Sequence, residues 1–239
     1  MAEDFKSQYA TLSTGRTAAE VDAGLRSYML TVYNYMASAM LLTGMVAFAT
    51  AQSDAMMAAI FNTPLQWVVM LAPLGVVFFL SARLNHMSAK AAQVTFWIYA
   101  GLMGLSLAYI FRVYTGVSIT RVFFITAVAF GGLSLYGYTT KKNLSGMGSF
   151  LIMGLIGLIV ASVVNIFLAS SAMQFAISVI GVLIFAGLTA YDTQQIKEMY
   201  LESDGNDVMT KKSILGALRL YLDFLNMFMF LLQLLGNRE

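Results

Sequence analysis

The chain has 239 residues, of which 59% are hydrophobic and only 11% charged. A soluble domain carries roughly a quarter charged residues, so water is excluded as the main solvent. A net charge of +2 from dispersed basic residues excludes a nucleic-acid surface, and the lack of any cysteine excludes disulfides, thiolate metal sites and thiol catalysis.

The first 27 residues mix Glu3, Asp4, Glu20 and Asp22 with Lys6, Arg16 and Arg26 and contain no apolar signal-peptide core. They are expected to form a cytoplasmic tail, with the first apolar run acting as its own insertion signal. A spanning helix needs about 20 predominantly apolar residues. Apolar runs between charged or turn-forming residues predict seven such helices, over 28–51, 65–84, 93–112, 117–138, 147–169, 173–193 and 213–235. Breakers separate them: Asn62, Thr63 and Pro64 before the second, 141–146 before the fifth and 203–206 before the last. The reading is one membrane domain over 28–236, all-α and polytopic. Only the connection between the sixth and seventh spans is expected to be long enough for a small element of its own.

Basic loops stay on the cytoplasmic side. Taken alternately from the N-terminus, one set of tails and loops holds Lys6, Arg16, Arg26, Arg83, Lys90, Lys141, Lys142, Lys197, Lys211 and Lys212, ten of the fourteen basic residues. The N-terminus is therefore expected in the cytoplasm. Seven crossings put the C-terminus outside, whereas a re-entrant last segment, with Arg219 and Asp223 inside it, returns it to the cytoplasm.

A charge in the hydrocarbon region costs several kcal/mol, which makes an intramembrane ionisable residue a functional candidate. Ten of the twelve acidic residues sit in tails or loops; the other two are Asp192, ending the sixth span, and Asp223, well inside the seventh. Both fall in the same half of the bundle and are expected to meet. Two carboxyl groups in a poorly solvated site share a proton more readily than they both ionise, and when ionised they offer oxygen ligands to a hard cation such as calcium. Along the seventh span Arg219, Asp223, Asn226 and Gln233 follow spacings of four, three and seven, which puts them on one helical face. That face is expected to turn toward the bundle interior, with Arg219 and Asn226 as modulators, although an i,i+4 ion pair of Arg219 with Asp223 that merely eases insertion explains two of the four. Arg83, closing the second span, is either a cationic latch on the carboxyls or an anchor at the headgroups. His86 is expected in solvent. Gly157, Ala161 and Asn165 on the fifth span, and Thr31, Asn34 and Ser38 on the first, are expected to be faces of close packing and interhelical hydrogen bonding.

The segments Gly187-Leu-Thr-Ala-Tyr-Asp-Thr-Gln-Gln-Ile-Lys197, Leu220-Tyr-Leu-Asp-Phe-Leu-Asn226 and Gly131-Gly-Leu-Ser-Leu-Tyr-Gly137, the last with Lys141-Lys142, resemble the Bax inhibitor-1 family and specifically its bacterial branch. The resemblance covers the whole membrane domain in segment order and length. It implies a seven-helix bundle with a central seventh helix, an inner-membrane location and a pH-sensitive calcium leak. It further implies that Asp192 and Asp223 form the pH sensor, that Arg83 latches the closed state, and that no cofactor is used beyond calcium as permeant ion. The implied partners are the lipid bilayer and calcium ions, with other membrane proteins as a further class and no nucleic acid.

Two other functions use similar residues. An intramembrane aspartyl protease presents Tyr-Asp in a sixth helix and a second aspartate in a seventh. Here, however, Asp223 follows Tyr-Leu rather than Gly-x-Gly, and no Pro-Ala-Leu segment comes after it. A non-transporting partner of other membrane proteins, modulating stress or quality control, is the alternative from a different class. A retinal protein is excluded because every lysine lies in a tail or loop.

Overall fold

The structure, a computed structural model, describes residues 18–238. Among them are nine α-helices: α1 (Ala18–Ala51), α2 (Asp54–Phe61), α3 (Leu65–Arg83), α4 (Ala89–Leu107), α5 (Ile110–Val113), α6 (Gly116–Thr139), α7 (Ser145–Leu168), α8 (Ser171–Glu198) and α9 (Asn206–Leu235). There is no strand among the described residues, only an isolated bridge between Tyr114 and Arg238. Seven helices are long and apolar enough to cross a membrane: α1, α3, α4 extended by α5, α6, α7, α8 and α9. The all-α seven-helix class is as expected.

Four of the helices start where a hydroxyl satisfies a free backbone N–H. Ser53, Ser88, Thr115 and Ser170 accept from Met56, Ala91, Ser118 and Met173 at 3.2–3.3 Å. Inside the spans, where no water is at hand, hydroxyls turn back onto their own helix: Thr126 donates to Val122 O, Ser162 to Leu158 O and Thr189 to Phe185 O, each at 2.8 Å.

The seventh span, α9, is the axis of the bundle. Its apolar window is 61% buried, against 17–39% for the others. It packs on α1, α4, α6 and α8, whereas α3 leans mainly on α4 and α7 mainly on α8. It also runs the full length of the bundle. At its start the Asp207 carboxylate accepts from Ala89 N at 2.9 Å, beside the 84–88 connection. Beyond its end Asn237 O accepts from Thr115 N at 3.1 Å and Asn237 N donates to Ser118 Oγ at 2.9 Å, beside the connection from α4 to α6. These contacts lie at opposite ends of α4, so α9 runs the length of the bundle and does not turn back within it. One face, here the basic face, carries Arg26, Arg83, Lys90, Lys141, Lys142, Lys197, Lys211 and Lys212; the other carries Arg112, Arg121 and Arg238.

Two hydroxyl ties fix the helices around α9. Tyr221 OH lies 2.7 Å from Thr43 Oγ1, which donates to Ala100 O at 2.9 Å, joining α9, α1 and α4. Tyr33 OH, Ser134 Oγ and Thr193 Oγ1 form a chain with steps of 2.5 and 2.9 Å through α1, α6 and α8. Beside this chain Gly137 lets α6 touch the Ala190 carbonyl of α8, where a Cβ has no room.

Three expectations need correction. The small connecting element lies in the first connection, not the sixth: Ser53 caps an eight-residue helix, Asp54–Phe61, with an acidic first turn. The sixth span instead runs on to Glu198 and the seventh starts at Asn206, leaving only turns between, braced by Lys212 Nζ on Asp204 Oδ2 at 2.5 Å. The predicted face of the fifth span is not continuous either. Gly157 has open space around it, and only Asn165 makes the expected interhelical bond, to Gln174 at 3.2 Å. On the first span, Thr31 and Ser38 bond the carbonyls of Ser27 and Asn34 in their own helix.

Candidate functional site

Asp192 sits on α8, less than two turns from its end at the basic face, with its side chain 15% exposed. Asp223 sits on α9, the helix against which α8 packs most extensively, and is 4% exposed. The two carboxyl groups are neighbours across the α8–α9 contact and line the same cavity. Asp223 Oδ2 is buried and has no hydrogen-bond donor among the described residues. Two carboxyl groups placed side by side bond each other only when one of them carries a proton.

The cation beside the pair is Arg219. Its guanidinium Nη1 is 3.7 Å from Asp192 Oδ1, an ion pair longer than a direct hydrogen bond. The i,i+4 spacing to Asp223 is real, but the bridge goes across to α8. Asn226 donates to Leu222 O of its own helix at 2.8 Å and borders the same cavity. That cavity, of about 700 Å³, is bounded by α7, α8 and α9 and lined by apolar side chains apart from Ser162, Tyr191, Asp192, Arg219, Asp223 and Asn226. Gln233, the last member of the predicted stripe, lies outside it: its Oε1 accepts from Gln174 Nε2 at 2.7 Å and is 2.9 Å from Ser178 Oγ, in a second cavity near the opposite face.

Arg83 is exposed at the end of α3 and enters no ion pair found among the described residues. Because α3 leans mainly on α4, the structure does not bring Arg83 to the carboxyls in this arrangement. His86 is exposed in a short turn, as expected. No group of three or more His, Cys, Asp or Glu is found among the described residues. Calcium takes six to eight oxygens, so Asp192, Asp223 and the Asn226 amide would supply only part of a coordination shell. For Arg219 the sequence offered a partner on its own helix, whereas the ion pair is to Asp192 of α8. Its spacing to Asp223 was visible, but its reach to Asp192 depends on how α8 and α9 pack.

Six membrane-length helices around a central seventh, with two carboxyl groups and a guanidinium beside one cavity, define a polytopic membrane protein. Residues 25–239 match the family described as Inhibitor of apoptosis-promoting Bax1. Inner membrane protein YbhL of Escherichia coli K12 is 48% identical over 220 residues, covering 91% of this chain and 94% of that one. An uncharacterised protein of Rickettsia prowazekii is 50% identical over 229 residues, 96% of this chain and 97% of its own length. A Caulobacter vibrioides protein is 46% identical over 248 residues, 99% of both chains. The chain belongs to the Bax inhibitor-1 family and is a multi-pass membrane protein.

Proposed function

We propose that the protein is a calcium-permeable cation leak, regulated by the proton shared between Asp192 and Asp223. The observation that carries this reading is the placement of both carboxyl groups in one cavity between α8 and α9, with Asp223 Oδ2 buried and without a donor among the described residues. With one proton on the pair its charge is about −1, which Arg219 balances at 3.7 Å. Removing the proton leaves one uncompensated negative charge in a partly dry cavity. A cation entering the cavity restores the balance, and an incomplete oxygen shell lets it leave again. Calcium is thus the permeant ion rather than a resident cofactor, and the pathway needs no other. In the arrangement described here the latch role falls to Arg219. Arg83 takes it only in an arrangement that moves α3 toward the pair.

The orientation belongs to the same proposal. The basic face is the cytoplasmic one, so the N-terminus is inside and the C-terminus outside. The bilayer is the inner membrane, as the name of the Escherichia coli relative says of that protein.

The purified chain in vesicles with an enclosed calcium dye is expected to leak calcium with a rate that changes with pH. In Asp192→Asn/Asp223→Asn, which keeps shape and removes the titration, the profile should be flat. An unchanged profile in that double variant would remove the pair from the sensor role. No flux above empty vesicles from the wild-type chain would favour the non-transporting partner of other membrane proteins.

A further inference from the structure

The polar stripe of α9 has a gap. Positions 219, 223, 226 and 233 are polar, and the position that completes the four-three alternation, 230, holds Phe. Along α9 the order from the basic face is Arg219, Asp223, Asn226, Phe230, Gln233; along α8 it is Asp192, Phe185, Gly181, Ser178, Gln174. The two helices therefore stack in levels: carboxyls with the guanidinium, then a pair of rings, then a pair of amides. Phe230 and Phe185 are stacked, with ring centroids 6.0 Å apart and planes 27° apart. Gly181 makes the room, since a Cβ there would fall 2.6 Å from the Phe230 ring. The carboxyl cavity ends at these rings and at Ile166 of α7. A second cavity of about 560 Å³ begins at the same Ile166 and is lined by Asn165, Gln174, Ser178, Gln233 and Arg238, near the opposite face.

We propose that Phe230, stacked on Phe185 over Gly181, is an apolar plug separating the carboxyl cavity from an amide-lined outer mouth made by Gln233, Gln174 and Asn165. The proposal rests on the leak reading and adds a second closure to it, at a level the shared proton does not reach. A short apolar constriction between two polar cavities stops ions by excluding water. A ring serving only as filler belongs among the fully buried side chains that α9 presents to α1, α4 and α6, such as Tyr221, Met227 and Leu232. Phe230 instead is only partly buried and lies on the polar face, where α7, leaning mainly on α8, leaves space beside it. Turning the ring joins the two cavities without breaking a hydrogen bond found among the described residues, whereas shifting α7 works against the Asn165–Gln174 bond.

A chain without cysteine allows a direct test by labelling in vesicles. Single-cysteine proteins carrying Gln233→Cys or Asn226→Cys are treated with a charged, membrane-impermeant thiol reagent from the face opposite the basic one. Gln233→Cys is expected to react and Asn226→Cys to be protected. Adding Phe230→Ala should speed labelling at Asn226→Cys at least about tenfold, because the constriction is then wet. Phe230→Leu, which stays apolar and is easily folded, should preserve protection. Unchanged labelling of Gln233→Cys in the Phe230→Ala background shows that the outer mouth is intact. Equal reactivity of Asn226→Cys with and without Phe230, or loss of protection in Phe230→Leu alone, overturns the plug. The readout needs no calcium flux. Exposure of Asn226→Cys on removing Phe230, together with no leak from any variant, supports the plug and overturns the leak. A pH-dependent leak with labelling indifferent to Phe230 does the reverse.

Discussion

Arg219 and Arg83 make the sharpest contrast at the scale of single residues. Both are cations that the sequence offers as partners of the carboxyl pair, yet only Arg219 is beside Asp192, at 3.7 Å. A guanidinium there competes with calcium for the same carboxylate oxygens, and at an effective dielectric near 20 such a contact is worth up to about 4 kcal/mol before solvent screening. With the Arg219 side chain 42% exposed, screening removes most of that. Arg219→Gln is expected to tighten calcium binding about tenfold at pH 8, as calcium titrations of the detergent-solubilised protein would report, since one nearby positive charge is lost. Arg83→Gln should leave binding unchanged; the reverse outcome would place the latch at Arg83 in a different arrangement of α3. The direction with pH follows from competition. Calcium needs both carboxylates ionised, so binding displaces the shared proton, and affinity should rise by up to about tenfold per pH unit while one proton is displaced. Affinity independent of pH between 6 and 8 would mean that calcium does not bind at this pair. Asp192 and Asp223 could be read from sequence because ionisable residues inside apolar runs are few. Phe230 could not, because it is one of 17 phenylalanines and only the arrangement of cavities distinguishes it.

Two glycines in neighbouring spans show what the sequence conveys about an element and what it withholds. The spans themselves follow from local composition, which is why seven were readable. Which face of a span packs is set by its neighbours, and the spacing of Gly157, Ala161 and Asn165 pointed to the wrong glycine. Gly157 has open space, whereas Gly137, in a motif read only for its family likeness, touches the Ala190 carbonyl across the α6–α8 contact. Gly137→Ala must therefore push α6 from α8 and disturb the chain from Tyr33 through Ser134 to Thr193. It is expected to cost about 1–3 kcal/mol, the usual range for overpacking, and to lower the midpoint of thermal unfolding in detergent. Gly157→Ala should be neutral, or raise the midpoint slightly, by the roughly 0.5–1 kcal/mol that alanine gains over glycine within a helix. Equal effects at both positions would mean that the α6–α8 contact is looser than described. The eight-residue helix Asp54–Phe61 was missed for a related reason. A single Ser cap with an acidic first turn is enough to fold a segment that looks like a loop when judged by length alone.

For the whole molecule, α9 fixes the topology, because both of its ends are tied by backbone contacts to other connections. Asp207 meets Ala89 at the basic face, and Asn237 meets Thr115 and Ser118 at the other. Every further crossing alternates from there, so a single determination of sidedness orients all seven. The charge distribution supplies the expected answer: the connections 84–88, 140–144 and 199–205 and the helix ends beside them carry seven of the twelve basic residues among those described, and loops rich in Lys and Arg are retained in the cytoplasm. Gln52 and Ser203 are exposed at opposite faces and suit labelling after replacement by cysteine. In intact cells an impermeant thiol reagent should label Gln52→Cys from outside and leave Ser203→Cys untouched until the membrane is opened. The opposite pattern would invert the protein and put the carboxyl cavity nearer the outer surface, so that its proton would be exchanged with the exterior and external rather than cytoplasmic pH would set the leak. Labelling of both residues from the same side would contradict the crossings themselves, and with them the contact of α9 with both faces.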